Sequence, residues 1–89
     1  MTEKQWLEKL AKEGYTDLKI IPILPGEDPE HNHDYDTVNV ILEGGLSIFD
    51  ETGEHVYQAG DRIDTKAGTI HRAENPPGVG RMIVGVKKS

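Results

Sequence analysis

No cysteine occurs among the 89 residues. Disulfide frameworks, thiolate zinc sites and cysteine nucleophiles are therefore excluded. No apolar run is long enough to span a bilayer, and the N-terminus has no signal-peptide core, so a cytoplasmic protein is the default expectation. Positive charge is missing from the middle of the chain: between Ile20 and Asp61 there is no Lys or Arg. The same span holds ten acids: Glu27, Asp28, Glu30, Asp34, Asp36, Glu43, Asp50, Glu51, Glu54 and Asp61. The net charge of −6 argues against nucleic acid or an anionic membrane as partner. Most of these carboxylates read as a solvated acidic surface. Their negative potential also favours a bound cation, and His31 and His33 lie among them.

A chain of this size forms one small domain. It buries somewhat over ~60% of the surface its unfolded form exposes, and dimerisation is a common remedy for so thin a margin. A homodimer is the expected assembly. Thr2-Glu-Lys-Gln5 has the spacing of a capping box. Trp6, Leu7, Leu10 and Ala11 then recur on one helical face, and Gly14 sits where a helix would stop. The pattern predicts a helix over roughly residues 3–13. Residues 1–14 are read as a brace, packing on a single β-domain over 15–89.

From Tyr15 the pattern changes to short β-branched runs punctuated by Gly, Pro and Asp. The runs are Leu18–Leu24, Thr37–Leu42, Leu46–Phe49, His55–Gln58, Arg62–Thr65, Thr69–Ala73 and Arg81–Val86. Turn signals at such short intervals indicate an all-β sandwich or barrel. Asp50–Glu54 reads as a hairpin turn. Pro22 marks its strand as an edge or a bulged one.

His31 and His33 are two residues apart. On one strand both imidazoles would share a face, about 7 Å apart by strand rise. His71 lies in a separate run and could close a third corner only in a sheet that folds back on itself. Three neutral imidazoles suit a divalent transition metal: iron, manganese, nickel, copper or zinc. Thr37, Asn39 and Ile41 share parity with the two histidines and are expected inside the barrel, while Val38, Val40 and Leu42 face the other way. That second face needs cover, from the helix or a second subunit. Asp36 also points away by parity, unless a bulge in Asp34-Tyr35-Asp36 reverses it. His55 reads as a surface residue. Tyr35, Lys66 and Arg72 flank the histidines, and Asn75 is expected to fix the turn before Pro76-Pro77.

With these residues in place, the chain resembles the cupin superfamily, small jelly-roll β-barrels. Gly60, Gly68, His71 and Asn75 match that family's second motif at its spacings, with Lys66 in place of a proline. Gly26, His31, His33 and Gly44 match the first, although only four residues separate Gly26 from His31. The 15 residues from Gly45 to Ala59 between the motifs are typical of compact members. The resemblance implies His31, His33 and His71 as metal ligands. The family's fourth ligand, a glutamate, falls on Thr37, which cannot serve as an anionic ligand but whose hydroxyl suits orienting a bound water. Tyr35, Asp36 and Asn39 complete the expected surroundings.

Two functional classes remain open at this level. One is a metal-dependent enzyme, resembling the three-histidine dioxygenases of the family and acting on a small molecule. The other is a non-catalytic cupin module that binds or senses a small ligand, with or without metal. No Ser-His-Asp arrangement and no inward carboxylate is visible by parity, which disfavours hydrolase or isomerase chemistry. The catalytic residues are not legible.

Overall fold

The computed structural model describes residues 1–88. One helix precedes eight strands: α1 Glu3–Lys12, β1 Thr16–Ile23, β2 Gly26–His31, β3 Asp36–Glu43, β4 Gly45–Asp50, β5 Gly53–Gln58, β6 Arg62–Thr65, β7 His71–Asn75 and β8 Gly80–Lys87. The capping box forms as the sequence implies. Gln5 donates its backbone N–H to Thr2 Oγ1 at 3.1 Å, and Thr2 donates its own to Gln5 Oε1 at 2.8 Å. Gly14, at φ +99°, takes the left-handed turn that ends the helix.

The strands form two antiparallel four-stranded sheets, ordered β1-β8-β3-β6 and β2-β7-β4-β5. Chain neighbours are thus often spatial strangers, which is the jelly-roll interleaving. β1 is an edge strand, so Pro22 removes no interior ladder bond. Asp50 accepts the Thr52 N–H at 2.8 Å in the β4–β5 turn. Gly80 passes so close to Glu43 that a Cβ there would strike the Glu43 carbonyl, so any larger residue would push β8 off β3.

Alternation along β3 divides the interior in two. On the outward face, Val38 and Val40 pack with Leu10, Tyr15 and Ile83, and Trp6, Leu7, Leu18 and Leu42 surround them. The helix therefore covers the apolar face that required a cover. On the inward face Ile41 packs with Ile23, Leu46 and Ile63, closing one end of the space between the sheets. Thr37 and Asn39, further back on the same face, leave the other end polar and open.

Two sequence expectations are corrected. His31 and His33 do not share a strand: His31 ends β2, and His33 lies in the link before β3. β2 itself was not foreseen, because all six of its residues are exposed and it carries no alternating pattern. Its backbone pairing with β7 holds it.

Polar contacts tie the helix to the barrel. Arg62 on β6 donates to both Glu13 carboxylate oxygens, at 2.9 and 2.7 Å, and also to Asp64. The hydrogen bonds from Arg62, then Lys9, pull the Glu13 pKa down to about 2. A depressed carboxyl pKa stabilises the fold fully above its ordinary range, and this contribution disappears as pH falls toward 2. The melting temperature of wild-type protein is expected to drop more steeply between pH 5 and pH 2 than that of Arg62→Gln. Parallel thermal-melt profiles for the two proteins would show that the pair contributes nothing.

Candidate metal centre

The two motifs meet where β2 lies beside β7. Asp28 pairs with Ala73 and His31 with His71, so β2 spends one residue more than its partner between these points. This bulge sets His31 directly across from His71. The ring centroids lie 4.4 Å apart for His31 and His71, 4.9 Å for His31 and His33, and 5.8 Å for His33 and His71. One ligand nitrogen from each ring falls within 4.8 Å of the others. His31 is exposed, and His33 and His71 are half-buried.

Backbone carbonyls orient two of the rings. His31 Nδ1 lies 2.7 Å from the Pro29 carbonyl oxygen, and His71 Nδ1 lies 3.0 Å from that of Thr69. A carbonyl only accepts, so each Nδ1 carries the proton and each Nε2 keeps its lone pair for an ion. His33 has its pKa lowered, first by burial and then by the neighbouring His31 and His71. It therefore stays neutral further into acid, as a ligand must. Tyr35 stacks on the His33 ring at 5.3 Å. Gly68 donates its N–H to the His33 carbonyl at 2.8 Å, which binds the second motif's turn to the first motif's backbone. Three nitrogen donors, two of them with preset tautomers, fit a divalent transition metal and leave its other positions open.

The histidines open onto a cleft of about 690 Å³ between the sheets, within the range of small-molecule sites. Thr37, Asn39 and Tyr35 line it. Asn39 donates to Met82 Sδ at 3.6 Å. Asp36 stands apart from the cleft, and its carboxylate accepts the Ala67 N–H at 2.8 Å, bracing the turn at Gly68. Asp36→Asn is therefore expected to leave metal affinity within a few-fold, read by chelator competition. A hundredfold loss would make Asp36 a ligand.

Other flanking residues also lie away from the centre. His55 bonds Thr52 Oγ1 at 2.7 Å and Asp50 at 3.3 Å, at the β4–β5 hairpin. Arg72 stacks over Phe49 at 3.9 Å and pairs with Glu74, on the face opposite His71. Lys66 is exposed and does not line the cleft. Asn75 donates to the Leu24 carbonyl at 2.8 Å, so it anchors the link before β2 and not the turn that follows it.

Sequence parity missed four charged residues that line the cleft: Asp17, Lys19, Asp28 and Lys88. The expectation that no carboxylate faces inward is corrected by Asp28. The bulge between Asp28 and His31 breaks the alternation from which that expectation came. Lys19 follows a second irregularity, between Thr16 and Lys19, where Asp17 holds φ +54°. Pro29 within β2 and Pro22 within β1 are local cues to the two irregularities.

These features define the class: a jelly-roll barrel with a three-imidazole centre at its open end. Several of the solved structures it resembles are cupins by name. It is similar to a cupin-2 domain-containing protein from Shewanella frigidimarina at 24% identity and a TM-score of 0.71, over 80% of this chain and 69% of that one. A predicted oxalate decarboxylase from Thermotoga maritima superposes at 0.73 with 19% identity, over 92% of this chain and 74% of that one. A putative ethanolamine utilization protein Q from Salmonella typhimurium gives 0.68 and 18%, over 79% of this chain; the match spans only 55% of that longer protein. No protein-family model and no curated protein matches the chain. The fold is the cupin fold. Among the described residues no helix is long and apolar enough to cross a membrane.

Proposed function

We propose that this protein is a small metal-binding cupin that takes a small molecule into its barrel and acts on it as a metal-dependent oxygenase. The observation that carries this reading is the convergence of His31, His33 and His71 within 4.8 Å at the mouth of an open cleft. Fe, Mn, Ni, Cu and Zn all suit such donors, and a redox-active ion bound there would supply the oxygen chemistry. The chain's own residues do the rest. Ile41, Leu46 and Ile63 close the floor against water. Thr37 and Asn39 offer a hydroxyl and an amide to orient a ligand. Asp28 adds a carboxylate to the lining of the same cleft.

Purified protein is expected to hold close to one transition-metal ion per chain by elemental analysis, and to consume oxygen with a small thiol or diketone. Metal uptake without oxygen consumption would leave the binding module as the better reading. We also propose a homodimer, supported by exposed Val56 on edge strand β5 and by the small core. A monomer by sedimentation would overturn it.

A further inference from the structure

The three edges of the histidine triangle are fixed in three different ways. His31 faces His71 as its partner in the β2–β7 ladder. His31 and His33 are tied by the chain itself, with only Asn32 between them. The third edge, from His33 to His71, is the longest, at 5.8 Å between ring centroids. No strand pairing spans it, because His33 lies in the link between β2 and β3. The turn at 66–69, which leads from β6 toward β7, spans it instead.

Thr69 closes that turn by donating its N–H to the Lys66 carbonyl at 3.1 Å, with Gly68 at the third position holding φ +83°. Two successive N–H groups of the turn then reach the link. Gly68 donates to the His33 carbonyl and Ala67 to Asp36 Oδ1, both at 2.8 Å. The two bonds grip the link at His33 and again three residues on. At the other end of the turn, the Thr69 carbonyl holds the His71 ring through Nδ1 at 3.0 Å. His33 and His71 are thus both held by one short turn. Of the two clasping bonds, one is backbone to backbone. The other depends on the Asp36 side chain, and a carboxylate accepts more strongly than a neutral oxygen. Without it the turn is held to the link at a single point.

We propose that Asp36 is a positioning residue of the metal centre: by clasping the turn it sets the spacing of His71 from His33. This rests on the metal-binding reading of the same histidines. Asp36 lies outside the cleft and acts only through the backbone of the turn and the link. Asparagine keeps an acceptor oxygen in the same place, whereas alanine removes it. Loss of the clasp leaves all three imidazoles present but loosens one edge of their triangle. The ordering of that edge must then be supplied when the ion binds, which lowers affinity.

The test compares zinc affinity, by chelator competition, in wild type, Asp36→Ala, Asp36→Asn and Asp61→Ala. Asp61 accepts the Gln58 N–H at 2.8 Å in a different turn, so its loss is a matched control for stability alone. Asp36→Ala is expected to raise the zinc Kd about tenfold, the lower end of the cost of losing an orienting partner. Asp36→Asn should stay within a few-fold of wild type, and Asp61→Ala should match it. In the metal-free proteins, hydrogen exchange at the Gly68 amide should run about tenfold faster in Asp36→Ala and at the wild-type rate in the other two. Zinc binding by Asp36→Ala equal to that of wild type would overturn the proposal. So would an equal loss in Asp36→Asn or in Asp61→Ala. Should Asp36→Ala fail to fold, Asp36→Leu removes the same acceptor while keeping the bulk. If wild type takes up no zinc, the metal reading fails. Gly68 exchange then judges the clasp by itself, and a rate unchanged in Asp36→Ala overturns it.

Discussion

His71→Ala is expected to strip the protein of most of its metal, with affinity falling about 100-fold or more. Substitutions of groups that only orient a ligand already cost about 10–100-fold, so removing a ligand should cost at least the upper end of that range. His71 is well chosen for this test. It opens β7, the strand between β2 and β4, and pairs with His31. Its ring is held by the Thr69 carbonyl at 3.0 Å. Removing the imidazole leaves His31 and His33 in place but opens one corner of the donor triangle. The side chain is only half-buried, so the fold should survive, and a melt of the metal-free variant close to that of metal-free wild type would show it. His55→Ala is the control. That histidine belongs to the Asp50–Thr52 hairpin, so its loss should leave metal content unchanged. Full metal occupancy in His71→Ala would sink the three-histidine centre.

Val40→Lys is expected to abolish the cooperative thermal transition or to drive the protein into the insoluble fraction. Val40 has 0% exposure and lies among Leu10, Tyr15, Val38 and Ile83. An ammonium there has no carboxylate partner and no route to water except by expelling the helix. Burying one unpaired ion costs several kcal/mol, against a total stability of about 5–15 kcal/mol for an ordinary domain. A soluble protein melting near the wild-type temperature would mean that the helix lifts readily and contributes little. Val56→Lys supplies the contrast, because Val56 is 73% exposed and should accept a charge without loss of fold.

Much of the local structure was legible from residue types. The Thr2–Gln5 capping box, the apolar stripe through Leu10 and the stop at Gly14 each act within a few residues, so they were readable without tertiary context. The alternation of Thr37, Asn39 and Ile41 against Val38 and Val40 was equally local, and β3 obeys it because it pairs in register on both sides through that stretch. Legibility failed where alternation was broken. β2 has no apolar pattern, so its existence could not be read, and only Pro29 hinted at its bulge. His31, His33 and Asp28 reach one cleft only because of that bulge and the link that follows. Asp36 shows the converse. Its parity turned it away from the histidines, and the Ala67 N–H gives its carboxylate a different task.

The sequence by itself determined the histidine set, the glycine spacings of a jelly roll, the helix that had to cover a valine face, and the threonine where an acid might stand. These follow from residue type and from short-range periodicity, which the chain carries wherever it goes. Only the tertiary structure decided that Asp28 and Lys19 face the same cleft, on opposite sheets. Which face a residue takes past a bulge depends on the partner strand's register, and that register is set by pairings between residues forty or more positions apart.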